Sequence, residues 1–575
     1  MLARVKARHW LWLVTLGAFA LCCTRLENGA DTFGVVSGGG SSGSSGETAT
    51  NDAGRDAGGT TSGGAAGSAG LAGSQMAGEP PDSGMGGTAE GGAGCVDESG
   101  FDGLGCYACE AKDIITLENS CTGATCVHFD NAVRLPLVKN DKLPDLPAPA
   151  GGGSGGTSSG GTGGSGGGAG SAGSAGSGGV GFACESLSND GTVIYVTGST
   201  AAKPFLQQIA QQMSLQKVFV VYLASGSCVG VDAIVNGTLM RTGAAPLPAS
   251  ATYWESSSSS GKACDLAAEG VSADLGISDV FAPSCPGFEL TNLESLKIRD
   301  AHGPIQTMTF AVPGNSKYHE ISQQAAYLVF GLGKDGQVLD ESGKQPIWND
   351  ETTLLQRSSS SGTQAMLAAA IGVPPGRWKG KGNKSSDDVA SALQGATATQ
   401  AGADATLGII GADYVDSRNL RAQIRVLAYQ DTHQACAVTP DSSDTAKDKR
   451  NVRDGHYPIW GPLHLLYKVN AAGDAQNAAI RSQLVDMVGY LSGSKALPNG
   501  VSLIDVYAQS GLIPECAMRV SRNADGGAIT ASKPAQPCSC LFEKKATGAT
   551  DCKACKVQGD CGVAETCSQG YCEKP

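Results

Sequence analysis

Between residues 192 and 279 an apolar, β-branched run gives way three times to a short polar loop, and this repetition constrains the fold more than any other feature. Thr192-Val193-Ile194-Tyr195-Val196-Thr197 leads into Gly198-Ser199-Thr200 and then into a helical pattern carrying Phe205, Ile209 and Met213. Lys217 to Ala224 (KVFVVYLA) leads into Ser225-Gly226-Ser227-Cys228-Val229-Gly230, again opening a helix. Ala273-Asp274-Leu275-Gly276-Ile277-Ser278-Asp279 is strand-like and ends in a carboxylate. Strand, hydroxyl-bearing glycine loop and helix in alternation specify an α/β fold with a parallel sheet and ligand groups at the carboxyl ends of the strands.

A fourth segment brings charge. Arg357-Ser358-Ser359-Ser360-Ser361-Gly362-Thr363 runs directly into the apolar helical pattern Gln364-Ala365-Met366-Leu367. Free N–H groups and the positive dipole end of a helix start attract an anion. The arginine before them adds a planar fork of donors suited to phosphate or carboxylate oxygens. A serine-rich surface loop is the plainer reading, and Ser256 to Gly261 is a stretch of that kind.

Taken in order, the GST, SGS, GxSD and RSxxSGT segments resemble the phosphate-binding proteins that deliver phosphate to ABC importers, a branch of the type 2 periplasmic binding-protein fold. The resemblance covers roughly residues 190 to 515. It implies a two-lobed α/β domain with two hinge crossings, the first at Pro304 to Pro313 and the return at Leu463 to Lys468, closing on ligand. Matched position by position, it implies a ligand set of Ser227, Asp279, Arg357, Ser361, Gly362 and Thr363. From the first loop it implies Ser199 or Thr200, or only backbone N–H groups, because Thr200 lies farther from Pro204 than the family places its threonine.

The residue types suit that ligand. A buried anion needs donors on most of its lone pairs. Hydroxyls, backbone N–H groups and Arg357 supply them, each charge-assisted bond contributing about 1.5–3 kcal/mol. Asp279 is an acceptor, and it suits phosphate because phosphate near neutral pH keeps a proton to donate. Sulfate has none, so Asp279 would face it acceptor to acceptor. An isolated Ser-Asp pair elsewhere is a turn or helix cap; its place after the third strand favours the ligand role. Three departures from the family stand out. Cysteine and valine occupy glycine positions in the second loop, Ser359 replaces an acidic residue beside the arginine, and an insertion spans about Thr238 to Gly270. Another tetrahedral or planar oxyanion therefore remains an alternative ligand.

Composition sets the outer limits. The 83 glycines and 5% aromatic content reflect two low-complexity tracts, Gly29 to Gly94 and Gly151 to Gly181, which cannot bury a core. Residues 1–23 read as a secretion signal, with Arg4, Lys6 and Arg8 before an apolar stretch. Either Ala18-Phe19-Ala20 is cleaved, or Cys22 or Cys23 carries a lipid anchor. Residues 24–94 read as a Gly/Ser-rich tether, whose r.m.s. reach is about 40–50 Å. A Cys-rich module at 95–149, a linker at 150–181, the binding domain at 184–530 and a second Cys-rich module at 535–575 follow. The expected location is the periplasm or cell envelope, reached across the inner membrane.

Eighteen cysteines follow the signal, and an export compartment makes disulfides the expectation. Cys95, Cys106, Cys109, Cys121 and Cys126 form an odd group, as do Cys184, Cys228, Cys264, Cys285 and Cys436, so at least one bridge should join the two groups or two thiols stay unpaired. Cys106-x-x-Cys109 and Cys552-x-x-Cys555 read as disulfide cysteines rather than zinc knuckles. No metal or other cofactor is expected, since His302, His319, His433, His456 and His464 share no ligand spacing. His464 reads as a core or hinge histidine.

A formal charge of -13 and no basic stripe argue against nucleic acid. The absence of a GxSxG elbow argues against an enzyme. The leading expectation is extracytoplasmic capture of phosphate or a similar oxyanion for an ABC permease or for sensing. The alternative is a cell-envelope interaction protein that uses the binding fold as a scaffold.

Overall fold

Alternating runs of β-branched and apolar residues build one eleven-stranded mixed sheet, seen in a computed structural model that describes residues 95–100, 103–109, 111–148, 182–243, 248–258 and 260–574. The expected signal, lipid-bearing Cys22 or Cys23, tether and linker lie outside the described residues. The strands are β1 (Thr192–Gly198), β2 (Val218–Ala224), β3 (Ala251–Tyr253), β4 (Lys262–Cys264), β5 (Leu275–Ser278), β6 (Ile298–Pro313), β7 (Leu354–Arg357), β8 (Lys381–Asn383), β9 (Leu407–Gly411), β10 (Ile424–Val426) and β11 (Trp460–Lys468). Their order is β8-β7-β9-β6-β11-β5-β1-β2-β3-β4, with β10 also on β6.

Two parallel blocks make up this sheet. In one, β1 pairs in parallel with β2 and β5; in the other, β7 pairs in parallel with β8 and β9. Between them lie the antiparallel strands β6 and β11. The 16-residue β6 serves both blocks in series. Its first part, Ile298 to Thr307, pairs with β11, while Met308 to Pro313 pairs with β9 and β10. Parallel strands need crossover helices, which cover both faces and bury the sheet.

Helix α1 (Lys203–Ser214) follows β1, and α2 (Ser227–Val235) follows β2. The α1 face read from the sequence is buried: Phe205, Ile209 and Met213 pack with Val196, Val220 and Leu275. The insertion at 238–270 supplies β3 and β4, which extend one edge of the sheet, and Cys264 bonds to Cys184. After β6, helix α3 (Gln323–Leu332) begins only at Gln323. Glu320–Ser322 instead pairs in parallel with Ala428–Gln430, and the Ser322 hydroxyl accepts from the Ala325 N–H, the bond that starts the helix. A later helix runs Arg481–Ser492.

Both cysteine-rich segments send apolar residues into the main core. Leu117, Phe129 and Leu135 from the first, and Cys538 and Phe542 from the second, cluster with Leu328, Phe330 and Trp460. Nine disulfides use all the described cysteines. The bridge expected between the two odd groups is Cys126–Cys436. Neither CxxC pair bonds within itself: Cys106 joins Cys121, Cys109 joins Cys95, Cys552 joins Cys540 and Cys555 joins Cys567. No helix among the described residues is long and apolar enough to cross a membrane.

The Cys126–Cys436 bridge closes a span of 310 residues, and long loops gain most from closure in the chain-entropy account. Replacing both cysteines by serine should lower stability by about 2–5 kcal/mol in urea. A non-reducing peptide digest should show the two segments linked. An unchanged urea midpoint, or Cys126 recovered as a free thiol, contradicts this.

Candidate functional site

The ends of β1, β2, β5 and β7 converge on one carboxylate. Asp279, the residue after β5, is 3% exposed. Its Oδ1 accepts from the Ser199 hydroxyl and its Oδ2 from the Ser227 hydroxyl at 2.9 Å. Ser199 follows β1, and its Oγ accepts from the Ala201 and Ala202 N–H groups at 3.2 Å each, at the start of α1. Ser227 is the first residue of α2 and receives the Asp279 N–H at 3.2 Å. The turn into α2 requires Gly226, whose φ of 106° is open chiefly to glycine.

The second parallel block meets the first here. Helix α4 (Gly362–Ile371) starts against Ser227 and Asp279. A Cβ on Gly362 would lie 2.4 Å from Ser227 Oγ and 2.7 Å from Asp279 Cβ, so the contact exists only because residue 362 has no side chain. The Cys228 N–H donates to the Ser360 carbonyl at 3.1 Å across the same seam. Asp279 thus lies beside the N-termini of α1, α2 and α4, whose partial positive charges favour an anion.

Arg357, at the end of β7, is 3% exposed. Its guanidinium donates to the Thr200 hydroxyl at 3.3 Å, reaching the other block. It also donates to the Ser386 hydroxyl at 2.9 Å and the Lys384 carbonyl at 3.2 Å. Its Nε, also buried, has no hydrogen-bond partner among the described residues. The counter-charge that Ser359 does not supply comes from Asp279, Asp388 and Asp387. Burial lowers the Arg357 pKa from its ordinary value, and those three carboxylates oppose the shift. Ser361 and Thr363 are buried at the start of α4, and the Ser361 hydroxyl does not cap its own helix.

All eight residues read from the sequence, Ser199, Thr200, Ser227, Asp279, Arg357, Ser361, Gly362 and Thr363, therefore lie at strand ends or helix starts around this seam. Cysteine in the second loop has a structural reason: Cys228 bonds to Cys285, tying α2 to the chain just after β5. No sequence pattern pointed to Ser386 and Lys384, or to Asp413 at the start of α5 (Ala412–Ser417). Burial raises the Asp279 carboxyl, partly offset by Ser199, Ser227 and Arg357. Asp413 is pushed up to about 8, first by burial and then by the charge of Asp279. Its Oδ1 has no hydrogen-bond partner among the described residues.

No protein-family model and no curated protein sequence matches the chain. Its structure is similar to a putative phosphate ABC transporter substrate-binding protein with bound phosphate from Clostridium perfringens, at 14% identity and a TM-score of 0.36, over 56% of this chain and 99% of that one. A possible phosphate binding protein from Planctomyces limnophilus DSM 3776 gives 13% identity and 0.34, over 56% of this chain and 93% of that one. An ABC-type phosphate transport receptor from Vibrio cholerae gives 12% and 0.34, over 56% and 99%. At these scores the likeness does not by itself define the site, which rests on the geometry above.

The folded chain holds the Asp413 proton up to about pH 8, whereas an ordinary aspartate releases it near 3.8. The unfolded state therefore binds fewer protons between those values, and the folded state loses stability as pH rises through them. The melting temperature should fall from about pH 5 to about pH 9, and the slope should be shallower in Asp413→Asn. An identical slope in the variant contradicts this placement of Asp413.

Proposed function

We propose that the chain is a non-enzymatic solute-binding protein that captures phosphate between two lobes, one built on β1, β2 and β5 and the other on β7, β8 and β9. The observation that carries this reading is the setting of Asp279: a lone acceptor beside three helix N-termini, two hydroxyls and a buried arginine. Such a setting supplies donors to the oxygens of an anion and one acceptor to its proton. An anion entering between Asp279 and the start of α4 would take over the Ser199 and Ser227 hydroxyls. Arg357, Gly362 and Thr363 would approach it from the second lobe. Strands β6 and β11 are the two crossings, and closure about them is the expected motion. Delivery to an ABC permease, residence in the periplasm or envelope, and a lipid anchor at Cys22 or Cys23 belong to the same proposal.

Calorimetry of the purified chain should show one phosphate bound and no heat with sulfate. Arg357→Ala removes charge-assisted donors contributing about 1.5–3 kcal/mol each, so phosphate affinity should fall about tenfold or more. Asp279→Asn puts an amide donor where sulfate met an acceptor, so this variant should admit sulfate. Lowering the pH until wild-type Asp279 is protonated should do the same, above the ordinary aspartate range because burial raises this group. Equal heats for the two anions in the wild type would remove Asp279 from the site.

A further inference from the structure

Beside the seam, on the two central antiparallel strands, three side chains with metal-binding atoms share one face. His302 and His464 are directly paired across β6 and β11, and Asp300 lies two residues before His302 on the same strand. Side chains alternate along a strand, so positions two apart and their cross-strand partner point the same way. Asp300, His302 and His464 accordingly offer one ligand atom each, all within 4.8 Å of one another. Asp300 Oδ2 lies 2.8 Å from His464 Nδ1.

An Asp–His hydrogen bond with a structural role accounts for only part of this arrangement. His464 is fully buried, yet among the described residues its Nε2 has no hydrogen-bond partner, and neither has the buried Asp300 Oδ1. Buried polar atoms left unpaired are costly, and a cation that draws on the cluster changes that balance. The Phe281 ring packs 4.2 Å from the His464 ring and closes one side. On the other side His302 is exposed and lines a cavity of about 550 Å³ that also includes Glu515. An ion therefore has a route in, and room for water to complete its coordination.

We infer that Asp300, His302 and His464 form a binding site for a divalent transition-metal ion, held by two imidazole nitrogens and one carboxylate oxygen. Two imidazoles and a carboxylate form the donor set of open zinc and related first-row sites. With bonds of 2.0–2.2 Å, tetrahedral ligand atoms stand about 3.3 Å apart, so these atoms, now within 4.8 Å of one another, would draw together around an ion. Strand register, rather than spacing along the chain, brings this set together. This site is separate from the anion site in its residues, and its test does not depend on phosphate.

The test is titration of the full chain with zinc chloride in phosphate-free buffer after dialysis against EDTA, with cobalt absorption as a second readout. One zinc per chain is expected. His302→Ala, at an exposed position, and Asp300→Asn, which keeps the side-chain shape, should each weaken zinc at least tenfold without moving the zinc-free melting temperature. His319→Ala, at an exposed histidine elsewhere, should bind as the wild type does. No stoichiometric zinc in the wild type, or wild-type affinity in both His302→Ala and Asp300→Asn, would overturn the inference.

Discussion

The arrangement of the sheet ends depends on one buried carboxyl group. Asp279 gathers Ser199 from the β1 loop and Ser227 from the start of α2, while Gly362 brings α4 against it without a side chain. Without a carboxylate or a ligand anion there, three helix starts and a buried arginine would face one another with like partial charge. The same position makes the carboxylate costly to ionise, since burial raises it despite its donors.

Rigidity around this point comes from covalent and apolar ties outside the loops. Cys228–Cys285 fixes the start of α2 relative to the chain following β5. Cys126–Cys436 fastens the N-terminal cysteine-rich segment onto the second block, where Leu117, Phe129 and Leu135 join the core. The 16-residue β6 belongs to both blocks, pairing with β11 along its first part and with β9 and β10 along its last.

Much of this was legible in the sequence, and the reason is local. Ser199, Ser227, Asp279, Arg357 and Gly362 each follow a strand or open a helix, and strand-then-glycine-loop patterns show in consecutive residues. What stayed hidden depends on register and tertiary approach. His302 and His464 become neighbours only because β6 pairs antiparallel with β11. Ser386 and Lys384 reach Arg357 from the segment after β8, with no spacing to announce them. Glu320–Ser322 likewise pairs with a strand more than a hundred residues away, at Ala428–Gln430, which no local pattern announces.

Hydrogen exchange on the full chain, with and without phosphate, tests the central claim most directly. Peptides covering 225–235 and 358–371 carry the helix starts on the two sides of Asp279. If one anion is held between them, phosphate should slow exchange in both peptides together, and sulfate at the same concentration should slow neither. Protection of only one peptide, or of neither while phosphate binds, would place the ligand elsewhere and contradict a site shared across the seam.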